Sequence, residues 1–256
     1  MSDDLRGRTI LVTGGAGDLG RATAALLAGH GAMVLVADKH ADVEIGAGLP
    51  TQPGGEVMPY FQVDVRQRAS VEALFHCIAE RGYAPDIVIC NAGVVYNAPF
   101  LEVEEHDWEQ TLAVNLTGCF HVGQVAARRM VAEGARGRIL MTGSWVQDVP
   151  WTDGTSYCTA KAGLSMLARC MARELAQHGI RVNTIAPGIV NAGLSGRLID
   201  EDSRFRDRAL RVIPLKELQS AEQVAQAMLW ACLPASDYMT GATLLIDGGC
   251  SLFAFD

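Results

Sequence analysis

Residues 9–21 read TILVTGGAGDLGR. An apolar run, Thr9 to Val12, meets a glycine-rich turn, and a helix-compatible stretch follows. Gly15, Gly17 and Gly20 satisfy G-x-G-x-x-G literally, in the strand–turn–helix context where that spacing carries meaning. The physical point is backbone access. Glycine lets a turn approach a pyrophosphate, whose charge then faces the positive end of the helix. Glycine turns after strands are common, so the rest of the chain must support this one.

Outward from this turn, short apolar runs alternate with helical patterns. The runs are 9–12, 33–37, 57–63, 87–90, 138–141, 181–186 and 243–246. Helices are expected near 19–30, 69–81, 106–132, 155–178 and 220–232. Seven strands separated by helices predict an α/β fold, a doubly wound seven-stranded parallel sheet of Rossmann type. The strands are apolar at nearly every position, as strands covered on both faces should be. No repeat or linker interrupts them, so residues 1–256 are read as a single dinucleotide-binding domain. Residues 192–216 are charged and only partly periodic, and are read as a substrate lid. The second run ends at Asp38, about 20 residues past the glycines. A carboxylate there can bond a ribose diol and repel a 2′-phosphate, which favours NAD; Lys39 beside it could meet a phosphate.

Bulk composition narrows the function. The net charge is −8 across 256 residues, against nucleic acid or an anionic membrane surface as partner. Seven scattered cysteines form no C-x-x-C pair and read as small buried hydrophobes in a reducing compartment. The six histidines show no metal-ligand spacing, so no metal is expected. No apolar stretch approaches the ~20 residues that span a bilayer, and MSDDLRGR lacks a signal-peptide layout. A cytoplasmic protein is expected.

Lysine is rare here: only Lys39, Lys161 and Lys216 among 21 basic side chains. Lys161 lies in an otherwise apolar, small-residue stretch, four residues after Tyr157. Ser144 closes the fifth apolar run. The bare Y-x-x-x-K spacing equally suits two neighbours on one helix face.

Taken together, TGGAGDLG (13–20), Asp38, Asp64-Val65, Asn91-Ala92-Gly93, Asn115, Ser144, YCTAK (157–161), Pro187-Gly188 and TGATLLIDGG (240–249) resemble the short-chain dehydrogenase/reductase family over nearly the whole chain. The resemblance implies a catalytic set of Asn115, Ser144, Tyr157 and Lys161. It implies cofactor contacts from Gly14, Gly17, Asp18, Leu19, Gly20, Asp38, Asp64, Val65, Asn91, Ala92, Gly93, Tyr157, Lys161, Pro187, Gly188 and Val190. Homodimers or homotetramers through the two long helices are also implied.

In this reading Tyr157 is the general base of alcohol oxidation. A phenol with pKa about 10 is a poor base at neutral pH, and a neighbouring ammonium favours its charged form. Ser144 would steady the substrate oxygen, and Asn115 would hold a water that relays the proton. Two positions depart from the family pattern. Asp18 stands where glycine is usual, and its carboxylate is expected to turn toward the helix end and cap it. Ala192 stands where threonine is frequent.

The expected reaction is NAD-dependent hydride transfer between a secondary alcohol and its ketone. Pro150-Trp151 resembles the glucose 1-dehydrogenase branch and suggests a sugar or polyol. Gln147 and Asp148 could then bond hydroxyls, and Trp145 or Trp151 could form a flat wall or simply pack in the core. An NADPH-dependent carbonyl or 3-oxoacyl reductase is the alternative enzyme, and an inactive cofactor-binding scaffold the alternative of another class. The apolar tail 251–256 is expected to pack on a neighbouring subunit or near the lid.

Overall fold

Leu11 is apolar, and so are Ile10 and Val12 on either side of it. In a strand these neighbours point to opposite faces, and all three are fully buried. Both faces of their sheet must therefore be covered. The computed structural model describes residues 4–41, 48–52, 54–193, 196, 199 and 203–252. It pairs β1 (Thr9–Thr13), β2 (Met33–Asp38), β3 (Tyr60–Gln62), β4 (Ile87–Cys90), β5 (Arg138–Thr142), β6 (Arg181–Pro187) and β7 (Thr243–Ile246). Their order is β3-β2-β1-β4-β5-β6-β7, and every pairing is parallel.

The helices are α1 (Asp18–Gly29), α2 (Arg68–Glu80), α3 (Glu105–Leu112), α4 (Cys119–Ala132), α5 (Thr155–Leu175), α6 (Ser203–Val212) and α7 (Ala221–Cys232). On one face, Val71 and Ile78 of α2, Val122 and Met130 of α4, and Leu164 and Ala168 of α5 pack on Leu11, Leu35, Val88 and Ile139. On the other, Ala24 and Leu27 of α1 and Met228 and Leu229 of α7 pack on Ile10, Val12, Val34 and Leu140. Each fully buried Leu or Ile contributes about 1.5–3 kcal/mol, so these faces, more than helix propensity, hold the layers. Ser220 and Gln223 close a reciprocal capping box at the start of α7.

Several expectations change. The third strand is shorter than 57–63, because Pro59 has no N–H to give to the ladder. Val57 makes only an isolated antiparallel bridge with Thr51. The helix expected over 106–132 is interrupted by a π-helical turn, Ala113–Gly118. The one expected over 155–178 tightens to a 3-10 turn after Leu175 and ends at Gly179, φ +72°. Cys90, Cys119, Cys232 and Cys250 are buried as expected, but Cys77 and Cys170 are exposed. Burial pushes the Cys232 thiol up to about 12, which leaves it a small hydrophobe. Of the lid segment, residues 194–195, 197–198 and 200–202 lie outside the described residues, as do 253–256 of the tail.

A third apolar cluster lies beyond the carboxyl ends of β5 and β6. Trp145, Val146, Ile189, Ala209, Val212 and Cys250 form it, with Trp151 and Tyr157 half-buried against it. The strand order reverses between β1 and β4, and open α/β sheets bind ligands at the carboxyl side of such a switch point.

Candidate active site

The turn after β1 is built so that chain passes close to chain. Gly14 has φ +64°, and a Cβ there would lie 2.6 Å from the Ala92 Cα. A Cβ on Gly20 would overlap the Gly14 carbonyl oxygen and lie 2.6 Å from the Gly15 Cα. Gly17 differs. Its Cβ would meet nothing nearer than 3.6 Å, so packing within the chain does not require glycine there. Gly17 is the N-cap of α1 and offers no side-chain cap. The first-turn N–H groups beside the exposed Gly17 and Asp18 thus carry no side-chain cap at the positive end of the helix. An exposed glycine over uncapped amides fits a pyrophosphate.

Asp18 does not cap α1. Its carboxylate crosses to accept a 2.7 Å bond from the Gly193 N–H. The expected local cap gives way because Gly193 brings a better-placed donor from the chain after β6. Asp38 ends β2 beside the loop, accepting from the Ala16 N–H at 3.2 Å and the Lys39 N–H at 2.7 Å. Asp64 is engaged by Arg66 through Nε at 2.9 Å and Nη2 at 2.7 Å. That guanidinium holds the Asp64 carboxyl below its ordinary range. Val65 packs toward Gly118 in the π turn, and its carbonyl meets His121 Nδ1 at 3.0 Å.

Asn91 joins the strands across the switch point. Its Nδ2 donates to the Gly14 carbonyl at 3.1 Å, and its Oδ1 accepts from Thr142 Oγ1 at 3.1 Å. Asn115, on the π turn, is fully buried. Its Nδ2 donates to the Val94 carbonyl at 2.8 Å and its Oδ1 accepts from the Val94 N–H at 3.1 Å. A Cβ on Gly93 would strike that same Oδ1 at 2.9 Å. The amide is therefore a clamp on residues 93–94. Asn115→Ala is expected to lose about 1–3 kcal/mol for each Val94 group left unpaired, read as a lower urea midpoint; a midpoint equal to the parent's would refute the clamp.

Ser144 follows β5 and is buried, with its Oγ accepting a long 3.4 Å bond from the Val146 N–H. Tyr157 and Lys161 lie one turn apart on α5, on the face toward β5. Lys161 is 3% exposed. Its Nζ donates to the Thr142 carbonyl at 2.6 Å and sits 5.3 Å from the Tyr157 ring centroid. Among the described residues the Tyr157 hydroxyl takes no hydrogen bond. Thr142 thus contacts both Lys161 and Asn91, and the glycine loop, β4, β5 and α5 form one connected network.

Pro187 ends β6, and Gly188 approaches Asp247 so closely that a Cβ would lie 2.8 Å from its Cα. Gln219, which no sequence motif singles out, fastens this corner. Its Oε1 accepts from the Gly188 N–H at 2.9 Å, and its backbone bonds Ile189 and Asn191 and bridges to Val190. Its only signal in the sequence is its place just before a capping box. Gln147, expected among substrate contacts, is buried; its amide N–H groups reach Asp148 and Thr243, and its Oε1 has no partner among the described residues. Trp145 is buried and meets Trp151 edge-on, ring centroids 5.3 Å apart. Among the described residues no group of His, Cys, Asp and Glu could hold a metal ion.

Comparison with known proteins fits this geometry. The model of a family described as enoyl-(acyl carrier protein) reductase matches residues 14–251. The 3beta-hydroxysteroid dehydrogenase 1 of Eggerthella lenta is 34% identical, covering 99% of this chain and 97% of its own. Glucose 1-dehydrogenase 2 of Bacillus subtilis is 32% identical, covering 99% and 98%. A gluconate 5-dehydrogenase from Burkholderia cenocepacia, solved with NADP and tartrate, is 30% identical, covers 98% and 99%, and superposes with a TM-score of 0.90. With strand order, glycine turn and sequence in agreement, this chain belongs to the short-chain dehydrogenase/reductase family, nicotinamide-dependent oxidoreductases that act on CH–OH groups.

Proposed function

We propose that the protein is an NAD-preferring dehydrogenase oxidising a secondary alcohol of a sugar or polyol, with Asn115, Ser144, Tyr157 and Lys161 as its catalytic set. The observation that carries this reading is the buried Lys161 ammonium set beside a phenol whose hydroxyl has no partner among the described residues. The nicotinamide supplies the hydride acceptor when bound. Tyr157 takes the alcohol proton, and gives it back in the reverse direction. Ser144 Oγ, only weakly engaged, holds the substrate oxygen. The Lys161 ammonium is anchored through one N–H on Thr142 and keeps two for the ribose hydroxyls. With its amide spent on Val94, Asn115 holds a relay water through its carbonyl, in a π turn where regular α-helical pairing is broken. Gly14, Gly17, Asp18, Leu19 and Gly20 frame the pyrophosphate, Asp38, Asp64 and Val65 the adenosine, Asn91 to Gly93 the central ribose, and Pro187, Gly188 and Val190 the nicotinamide.

Preference for NAD rests on Asp38, whose carboxylate stands at the edge of the glycine loop. Fluorescence titration is expected to show NADH bound at least about tenfold more tightly than NADPH, a difference of roughly 1.4 kcal/mol. The opposite preference would promote Lys39 and the NADPH-dependent reductase reading. Turnover of any alcohol in a sugar and polyol panel would dispose of the inactive scaffold.

For assembly we propose a homodimer or homotetramer. Phe120 and Val131 on α4 and Met166 on α5 are exposed apolar side chains on the two long helices, and Trp230 and Leu245 are a second exposed set. The segment 192–216, which includes α6, serves as the lid. The free, unpaired cysteines favour a cytoplasmic setting.

A further inference from the structure

Helix α6 carries four arginines and one aspartate in ten residues, in a chain whose net charge is −8. Its apolar side places the helix. Ala209, fully buried, and Val212 belong to the cluster against which Tyr157 packs. The basic helix therefore lies over the end of the sheet that holds Ser144 and Tyr157. Arg204 and Arg211, with Asp207, border an open groove of about 590 Å³ on the same helix.

Arg208 is set apart by its contact. Its guanidinium carbon lies 3.9 Å from the centroid of the Trp151 ring. Trp151 in turn meets Trp145 edge-on, and Trp145 directly follows Ser144. Stacking on an aromatic face fixes the guanidinium plane while leaving its N–H edge available for a planar anion. Among the described residues no carboxylate forms an ion pair with Arg208. An acidic protein repels an anionic substrate on approach, and a basic patch at the mouth of the site reverses that field locally.

We infer that the substrate carries an anionic group, a carboxylate or a phosphate, at some distance from the alcohol that is oxidised, and that Arg208, held over the Trp151 ring, recognises it. This rests on the alcohol dehydrogenase reading above and adds a charge requirement to it. Arg208 is a specificity residue, so it should act on substrate capture and leave the chemical step alone.

The test uses two matched pairs of substrates with the whole protein and its preferred nicotinamide. One pair is a polyhydroxy carboxylate and the neutral polyol of the same length. The other is a 3-hydroxyacyl-CoA and its uncharged, truncated thioester. In one pair the charged member is expected to show a kcat/KM at least about tenfold higher, declining as salt is raised. The pair that shows it identifies the source of the anion. Arg208→Gln should raise KM about tenfold or more for the charged member, with KM for the neutral member and both kcat values within about twofold of the parent. Arg208→Lys should recover part of the loss, since charge is kept while the stacked fork is not. Equal rates within both pairs, or a variant that impairs both members alike, would overturn the inference while leaving the dehydrogenase intact. If no alcohol is oxidised, the dehydrogenase reading itself fails. Quenching of tryptophan fluorescence by the same carboxylate or CoA ester in the parent, lost in Arg208→Gln, would then still uphold the anion site, and its absence would overturn that as well.

Discussion

Tyr157→Phe should abolish most turnover, lowering kcat on the order of 10²–10⁴-fold, the range that a positioned general base supplies. The change removes one oxygen atom. Among the described residues that oxygen has no hydrogen-bond partner, so the fold has nothing to lose with it. Its ring remains to pack against the Trp145–Ile189 cluster. NADH should therefore bind within about twofold of the parent, and thermal unfolding should be unchanged. The informative comparison is turnover against cofactor affinity in one preparation. Near-parental kcat in Tyr157→Phe would remove Tyr157 from the chemistry. Loss of NADH binding along with turnover, at unchanged thermal unfolding, would make the hydroxyl a cofactor contact instead; a lowered unfolding temperature would make it structural.

The second large effect separates two glycines three residues apart. Gly20→Ala drives a methyl group into the Gly14 carbonyl and the Gly15 backbone. Backbone atoms on both sides cannot rotate away as a side chain would, so the cost is expected to reach about 3 kcal/mol or more. Much of the variant should be unfolded or aggregated, as a urea melt would record. Gly17→Ala places its methyl in open space at the start of α1, with a backbone conformation that alanine tolerates. Stability should stay within about 0.5 kcal/mol, while NADH affinity falls about 10–100-fold, or roughly 1.4–2.8 kcal/mol. A Gly17→Ala protein that binds NADH normally would mean that no phosphate approaches this amide. A Gly20→Ala protein as stable as the parent would mean the loop is looser than its contacts imply.

How much of this was legible in the sequence depends on the range of the interaction. The central strands could be read because both their faces are buried, and burial writes itself as unbroken runs such as Ile87–Cys90; the edge strands β3 and β7 are only partly covered. Lys161 stood out because a lysine among small apolar residues needs a reason. Effects that depend on partners far along the chain could not be read. Asp18 looks like a helix cap locally, yet its partner is Gly193, 175 residues away. Gln147 looks like a group free to bond substrate hydroxyls, and nothing in the local sequence shows that β7 brings Thr243 beside it. The π turn at Ala113–Gly118 has no periodicity of its own to reveal it, because the helices on either side continue the same apolar face. Gln219 was missed because a glutamine before a cap is ordinary, and only the approach of β6 makes it a clamp.

The loops that meet at the switch point follow β1, β2, β4, β5 and β6, drawn from positions 14 to 190 of the chain. Parallel strands of this kind can be joined only by long crossovers, and such topologies assemble slowly. No fragment of the chain holds more than a part of the cradle. The dinucleotide can therefore be captured only by a molecule whose sheet is already nearly complete. Its binding then lowers the free energy of the finished state alone, by an amount that grows with the logarithm of its concentration. Above saturation, more coenzyme no longer adds occupancy but still lowers the fraction of molecules open to proteolysis.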